Sequence, residues 1–437
     1  MRLLPWLSLL APPLLLLFPA ALQAQFPRLC TTPKALKERK CCPKWRGSPC
    51  GMQLGRGACY SYRMFFFRTA YIDYREDWPY AFYDSVCKCN GNFDGFDCSQ
   101  CKPGFKGPRC QQTFSVVRKE ITSLTAEEKS RFFTALEKAK RTNSEKYVIL
   151  ESNDTRIAGK YEFKNATVYD QYIWLHYYAA KPYRNSTRNA AHEGPAFPFW
   201  HRVFLLFIER EIRELTDDDS FFIPYWDWTK TDHCNLCTKG YFGVSDENGH
   251  IRRESPLSRW KTLCSYDDDS LGIICLPRNR NAPLQPIIRK PGKDVKYPLL
   301  PTASDVRYTL AAEKFDTPPY DGGAKLSFRS RLEGFEVPQD SRHLLYSMHN
   351  LVHLYLNGTM SSVPISANDP LFMVHHAFID MILEEWLQGH PGAEYPRDER
   401  IPLAQRADSY MTPFFPLRRN DDYLHNSMSD LGYSYGL

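Results

Sequence analysis

The stretch SMHNLVHLYLNGT, residues 347–359, sets two histidines four apart among Leu, Val and Met. Residues i and i+4 share one face of a helix. Leu345, His349, Val352, His353 and Leu356 therefore form the stripe that should turn inward, and two imidazoles stand where a core needs hydrocarbon. One histidine on such a stripe is usually a satisfied core residue. The pattern gains weight only if it recurs.

It recurs three times. PFWHRVFLLFIEREIREL, residues 198–215, has the stripe His201, Phe204, Leu205, Ile208, Ile212 and Leu215. DPLFMVHHAFIDMILEEWL, residues 369–387, opens with Asp369 as an expected N-cap and Pro370 in the first turn, and its stripe is Phe372, His376, Ile379, Leu383 and Trp386. VYDQYIWLHYYAA, residues 168–180, carries His176 beside Ile173 and Tyr177. His192, in AHEGPAF just before the second helix, brings the set to six. Burying several imidazoles together costs desolvation unless something accepts their lone pairs, and a metal ion does so. Imidazole-only sites suit copper, zinc, iron or nickel. Six neutral ligands for two ions leave open positions, which binding a small molecule such as oxygen requires.

Ten of the 14 cysteines fall between residues 30 and 110, which places a domain boundary near residue 112. CKCNGNFDGFDCSQCKPGFKGPRC, residues 87–110, spaces cysteines among glycines and aromatics like a small disulfide-stapled module of the epidermal growth factor (EGF) type. So short a chain buries too little apolar surface to hold without staples. A zinc site from the same cysteines is the alternative, weakened by the lack of any histidine in residues 25–110. The remaining four, Cys234, Cys237, Cys264 and Cys275, suggest two local disulfides, one of them spanning only CNLC. From residue 126 the pattern turns helical, as in AEEKSRFFTALEKAK, so the larger domain is expected to be mainly α.

Residues 1–24 place Arg2 ahead of a leucine run ending in small residues, which reads as a signal peptide and an oxidising compartment. Triplets at Asn153, Asn165, Asn185 and Asn357 agree, as acceptors for N-glycosylation. No later stretch has 18 consecutive apolar residues, so membrane attachment is not expected from this chain. A net charge of +6 without a basic run interleaved with aromatics argues against nucleic acid.

HYYAA, AHEGPAFPFWHRVFLL, PYWDW, SMHNLVHLYLNGT and SANDPLFMVHHAF together resemble the type 3 binuclear copper proteins, and in detail the vertebrate-type tyrosinase family. QFPRLC at residue 25, SYMTPFFPLRRNDDY at 409 and LGYSY at 431 extend the likeness along nearly the whole chain after residue 24. The resemblance implies a mainly α fold, a four-helix-bundle dicopper domain at 113–437 preceded by an EGF-like module at 25–112. It implies one copper on His176, His192 and His201 and a second on His349, His353 and His376, with dioxygen as co-substrate. Glu333 and Asn350 would hold the water that takes the proton of a phenol; the plain alternative for Glu333 is an ion pair with Arg329 four residues earlier. Phe335, Val363, Ser366 and His375 match the family's substrate pocket, although His375 could equally stand behind the ligands. Arg202 and Asp380 are expected to pair behind the metal shell.

The activity implied is that of a monophenol monooxygenase and catechol oxidase, taking L-tyrosine to L-DOPA and DOPA to dopaquinone at the start of melanin synthesis in the melanosome lumen. The family also holds zinc-containing relatives that act as dopachrome tautomerase or process dihydroxyindole carboxylate (DHICA), and they typically read PYWNF and Leu-His where this chain reads PYWDW and His-His. A non-catalytic oxygen-binding protein is a more distant alternative. The cysteine-rich module could serve lumenal partners, none of which the sequence identifies.

Overall fold

The computed structural model describes residues 25–61, 75, 78–150, 161–183, 187–264, 284–339, 341–343, 345–424 and 428–436. The expected signal segment, the triplets at Asn153 and Asn185, and Cys275 lie outside the described residues. Between Cys30 and Cys110 five disulfides pair Cys30 with Cys41, Cys42 with Cys59, Cys50 with Cys87, Cys89 with Cys98 and Cys101 with Cys110. That pairing removes the zinc alternative, because Cys42, Cys50 and Cys87, which cluster as metal ligands would, are all oxidised. Cys234 and Cys237 close CNLC with Cα atoms 5.3 Å apart, inside the ordinary range. Cys264 is also disulfide-bonded, its partner outside the described residues.

Two small sheets tie distant parts of the chain together. Strand β1 (Gln25–Pro27), β2 (Val116–Arg118), β3 (Asn143–Leu150), β4 (Phe163–Thr167) and β5 (Tyr433–Tyr435) matter here. β1 and β4 flank β3 antiparallel, with Phe26 opposite Val148 and Val148 opposite Asn165. β2 pairs parallel with β5. NSEKYVIL in β3 is rich in strand-forming residues, a signal that the helical reading of this region passed over.

The larger part is helical, as expected: α1 (Ala126–Arg141), α2 (Val168–Ala180), α3 (Phe197–Thr216), α4 (Met348–Leu356) and α5 (Leu371–Gly389). A capping box of Thr125 and Glu128 starts α1, and Thr167 caps α2 by accepting the Asp170 amide. α5 begins one residue later than expected. Pro370 takes the N-cap position in place of Asp369, which stands one residue earlier, accepts the Leu371 amide at 3.0 Å and is held by Arg289. α2 is buried on nearly every side, which a helix hydrophobic all round requires. α3 packs against α5 and α2, and α4 against α5, while the 3-10 segment Val363–Asn368 lies along α2 and meets α5. The four-helix arrangement is thus partly a bundle.

Leu345 departs from the expected stripe. It is 59% exposed and precedes α4, which begins only at Met348. The Ser347 amide donates to Gly334 O at 3.0 Å, and a Cβ at Gly334 (φ +102) would lie 1.9 Å from Ser347 O.

Candidate metal centre

Each of the four long helices named above, α2 to α5, turns histidine inward, and the six imidazoles converge. Nitrogen atoms of His176, His192 and His201 lie within 4.8 Å of one another, as do those of His349, His353, His375 and His376. The two groups touch: the rings of His201 and His376 stack with centroids 4.2 Å apart, and His192 and His349 are 6.3 Å apart. All seven histidines are buried.

The second ring nitrogen shows what the first faces. His201 Nδ1 lies 2.8 Å from Phe197 O, His353 Nδ1 2.8 Å from Met360 O, and His176 Nδ1 3.4 Å from Pro364 O. Carbonyls only accept, so Nδ1 carries the proton and Nε2 presents its lone pair. His192 and His349 turn Nδ1 to the Oδ1 atoms of Asn189 and Asn350, at 3.3 and 3.0 Å. The Nε2 atoms of His176, His201 and His349 and the Nδ1 of His376 are buried with no hydrogen-bond partner. His353 Nε2 and His376 Nε2 face one another at 3.4 Å. Converging lone pairs without donors repel unless a cation sits among them, and outer partners that fix the tautomer are how proteins orient metal-binding imidazoles. The donor set fits two nitrogen-preferring ions. Burial keeps every one of these rings neutral: it lowers His176, His192, His349 and His376 well below the ordinary value, His201 to about 3 and His353 to about 4.

A cavity of about 170 Å³ opens beside the pair of groups. Phe335, Val363, Ser366 and Asn350 line it with His192, His349 and His353, as expected. Glu193, Tyr346, Leu354 and Ser361 line it too and were not anticipated. Glu193 follows a ligand candidate directly, which could have flagged it; Tyr346 sits beyond the first helical residue, where periodicity gives no signal. His375 does not line the cavity. Its ring stacks 5.3 Å from His349 and accepts a hydrogen bond from Trp228 Nε1 at 3.2 Å, so it stands behind the ligands.

Glu333 is buried and does not reach the cavity wall. Its Oε1 accepts the Glu193 amide at 2.7 Å and its Oε2 takes Arg329 at 3.2 Å, so the ion pair foreseen at four-residue spacing exists. Burial pushes its carboxyl up to about 8 against the pull of Arg329. Burial, and then Asp321, also raise Glu193, with Arg329 and Arg188 opposing.

Behind the histidines lies a buried ionic cluster. Arg202, next to His201, donates to Asp380 at 2.6 Å and to Glu384 at 3.0 Å. Arg118 of β2 joins Asp380 at 3.0 Å and makes two 3.0 Å contacts to Glu209. The hydroxyls of Tyr433 and Tyr435 in β5 lie 2.8 and 2.7 Å from Asp380 Oδ2. Burial opposes ionisation of Asp380, but Arg202 and Arg118 outweigh it and hold the carboxyl below its usual range.

Two adjoining clusters of buried histidines beside one cavity, most of their imidazoles oriented from behind, define a binuclear metalloprotein with a histidine-only centre. A model for the common central domain of tyrosinase matches residues 166–389, and one for the laminin EGF domain matches residues 55–114. The tyrosinase of Pelophylax lessonae is 39% identical over 98% of this chain and 84% of its own length, and that of Canis lupus familiaris 40% over 94% and 81%. The 5,6-dihydroxyindole-2-carboxylic acid oxidase of Ambystoma mexicanum is 36% identical over 97% and 84%. A polyphenol oxidase variant from Thermothelomyces thermophila shares the fold with a TM-score of 0.51 at 15% identity, over 74% of this chain and 89% of that one. The chain belongs to the tyrosinase family, as a copper oxidoreductase of that group.

Proposed function

We propose that the protein o-hydroxylates L-tyrosine to L-DOPA and oxidises DOPA to dopaquinone, initiating melanin synthesis. The observation that carries this is the convergence of unpartnered buried imidazole nitrogens beside one small cavity. In this reading His176, His192 and His201 hold one copper and His349, His353 and His376 the other. The two ions, when bound, supply the binding and activation of dioxygen. The chain's own residues do the rest. Phe335 and Val363 hold the phenol ring, Ser366 contributes a polar edge, and Asn350 both orients His349 and faces the substrate. Glu333, with a carboxyl near neutrality, takes the phenolic proton through a water, the pKa range in which a general base works best. His375 positions His349 instead of touching substrate.

We further place the protein in the secretory pathway, with residues 1–24 removed, 25–112 as the stapled module open to lumenal partners and 113–437 as the copper domain. The melanosome lumen is its expected site of work. Among the described residues no helix is long and apolar enough to cross a membrane.

A second reading has its own support, because relatives named 5,6-dihydroxyindole-2-carboxylic acid oxidase match at 35–36% identity. Metal counting on protein purified with copper supplied, with L-tyrosine oxidation and oxygen uptake measured on the same sample, separates the two. Two coppers with DOPA and quinone formation, lost in His353→Ala, support the proposal. Two zincs and no oxygen uptake would sink it in favour of a zinc-containing tautomerase or DHICA-processing enzyme; reversible oxygen binding without product would indicate an oxygen-binding protein.

A further inference from the structure

We propose that the Glu193 carboxylate anchors an ammonium group on the substrate's side chain, so that phenols and catechols bearing an amine are preferred over those bearing a carboxylate. This rests on the oxidase reading above and adds the substrate class.

The cavity wall is otherwise aromatic, aliphatic, hydroxyl, amide and imidazole, and Glu193 is the one carboxylic acid among its lining residues. Its backbone is fixed: φ is 55° and its amide N–H donates to Glu333 Oε1 at 2.7 Å. Its own carboxylate makes no hydrogen bond and no ion pair among the described residues. The cations nearby are engaged elsewhere. Arg188 is on Asp321 at 2.8 Å, and Arg329 is shared by Asp316 and Glu333 at 2.9 and 3.2 Å. A half-buried carboxylate on the cavity wall with no ion-pair partner of its own among the described residues attracts a cation and repels an anion. Because His192 precedes it in the chain and shares the same wall, a ring held at the imidazoles brings its side chain toward Glu193.

The test compares dopamine, 3-(3,4-dihydroxyphenyl)propionate and 4-methylcatechol as substrates of the copper-loaded full chain. In the wild type kcat/KM should be higher for dopamine than for the propionate, and the KM for dopamine, but not for 4-methylcatechol, should rise with ionic strength. Glu193→Gln should lower the dopamine-to-propionate ratio about tenfold, chiefly through KM, and Glu193→Asp should restore part of it. A wild type that favours the propionate, a dopamine KM insensitive to salt, or a ratio unchanged in Glu193→Gln would overturn the proposal. The first two measurements stand even if the variant fails to fold. Oxidation of none of the three by the wild type would remove the oxidase reading itself, and this inference with it, whereas oxidation of all three without charge preference removes the inference alone.

Discussion

Between Cys30 and Cys110, strands mostly of two residues and at most five are joined by five disulfides. In α2 to α5 almost every side chain facing inward is buried, and among the described residues no disulfide joins these helices. The two regions solve the same problem differently. A cross-link acts mainly on the unfolded chain, by limiting the conformations it must lose. Packing, capping and buried charge act on the folded geometry, down to tenths of an ångström. The module still touches the helices, since Asp94 pairs with Arg210 of α3 at 2.7 Å, but no histidine of the centre lies within it.

Breaking the helical side gives the largest effects. His353→Ala should remove one metal per chain and lower tyrosine oxidation more than about 100-fold, since even loss of an outer partner costs 10–100-fold; metal counting and steady-state rates check this. Acidifying the metal-free protein comes next. The folded imidazoles titrate below 6.5, with His353 near 4 and His201 near 3, so below pH 6.5 the unfolded chain takes up protons that the folded chain refuses. Stability should fall steadily from pH 6.5 toward 4, at about 1.4 kcal/mol per unit of displacement for each ring, as read by melting temperature. Glu333 has the opposite sign: folded near 8 and ordinarily 4.5, it loses its contribution as pH rises between those values, so Glu333→Gln should flatten the decline above pH 6.5.

Asp380→Ala strands Arg118 and Arg202 without their shared carboxylate and should cost about 3–5 kcal/mol, measured by denaturant titration of the copper-loaded protein. The module supplies the contrast. Replacing Cys50 and Cys87 together opens a 37-residue loop and should cost about 4 kcal/mol while the copper count stays at two. Loss of copper in that variant would show that the two regions are not separable. Smallest is Trp228→Phe, which removes the donor to His375 Nδ1 and should cost about 1–3 kcal/mol.

Helical periodicity made the inward histidines legible, because His176, His201, His349, His353 and His376 each lie on a helical stripe whose other members are mostly apolar. Cysteine density likewise marked the stapled region. Partners fixed by long-range approach were not legible. Pro364 O and Met360 O orient histidines because a 3-10 segment and a turn bring carbonyls there, and carbonyls carry no residue code. Arg118 reaches Asp380 from a strand with no periodic link to α5. Leu345 was assigned inward because the stripe was extended past the start of α4 at Met348.

The contact of Tyr433 and Tyr435 with Asp380 has a consequence for the order of biosynthesis. Every histidine of the centre leaves the ribosome before these two tyrosines do, the last of them, His376, by an interval on the order of 3–10 seconds at about 5–20 residues per second. The thiols need no such delay, since within Cys30–Cys110 the widest pair is 37 residues apart and its members emerge early. The oxidised module can thus close while the imidazoles are still loosely arranged, and the last strand to arrive completes the ionic cluster behind them. The cysteines of that module, once paired, cannot compete with the imidazoles for a metal ion.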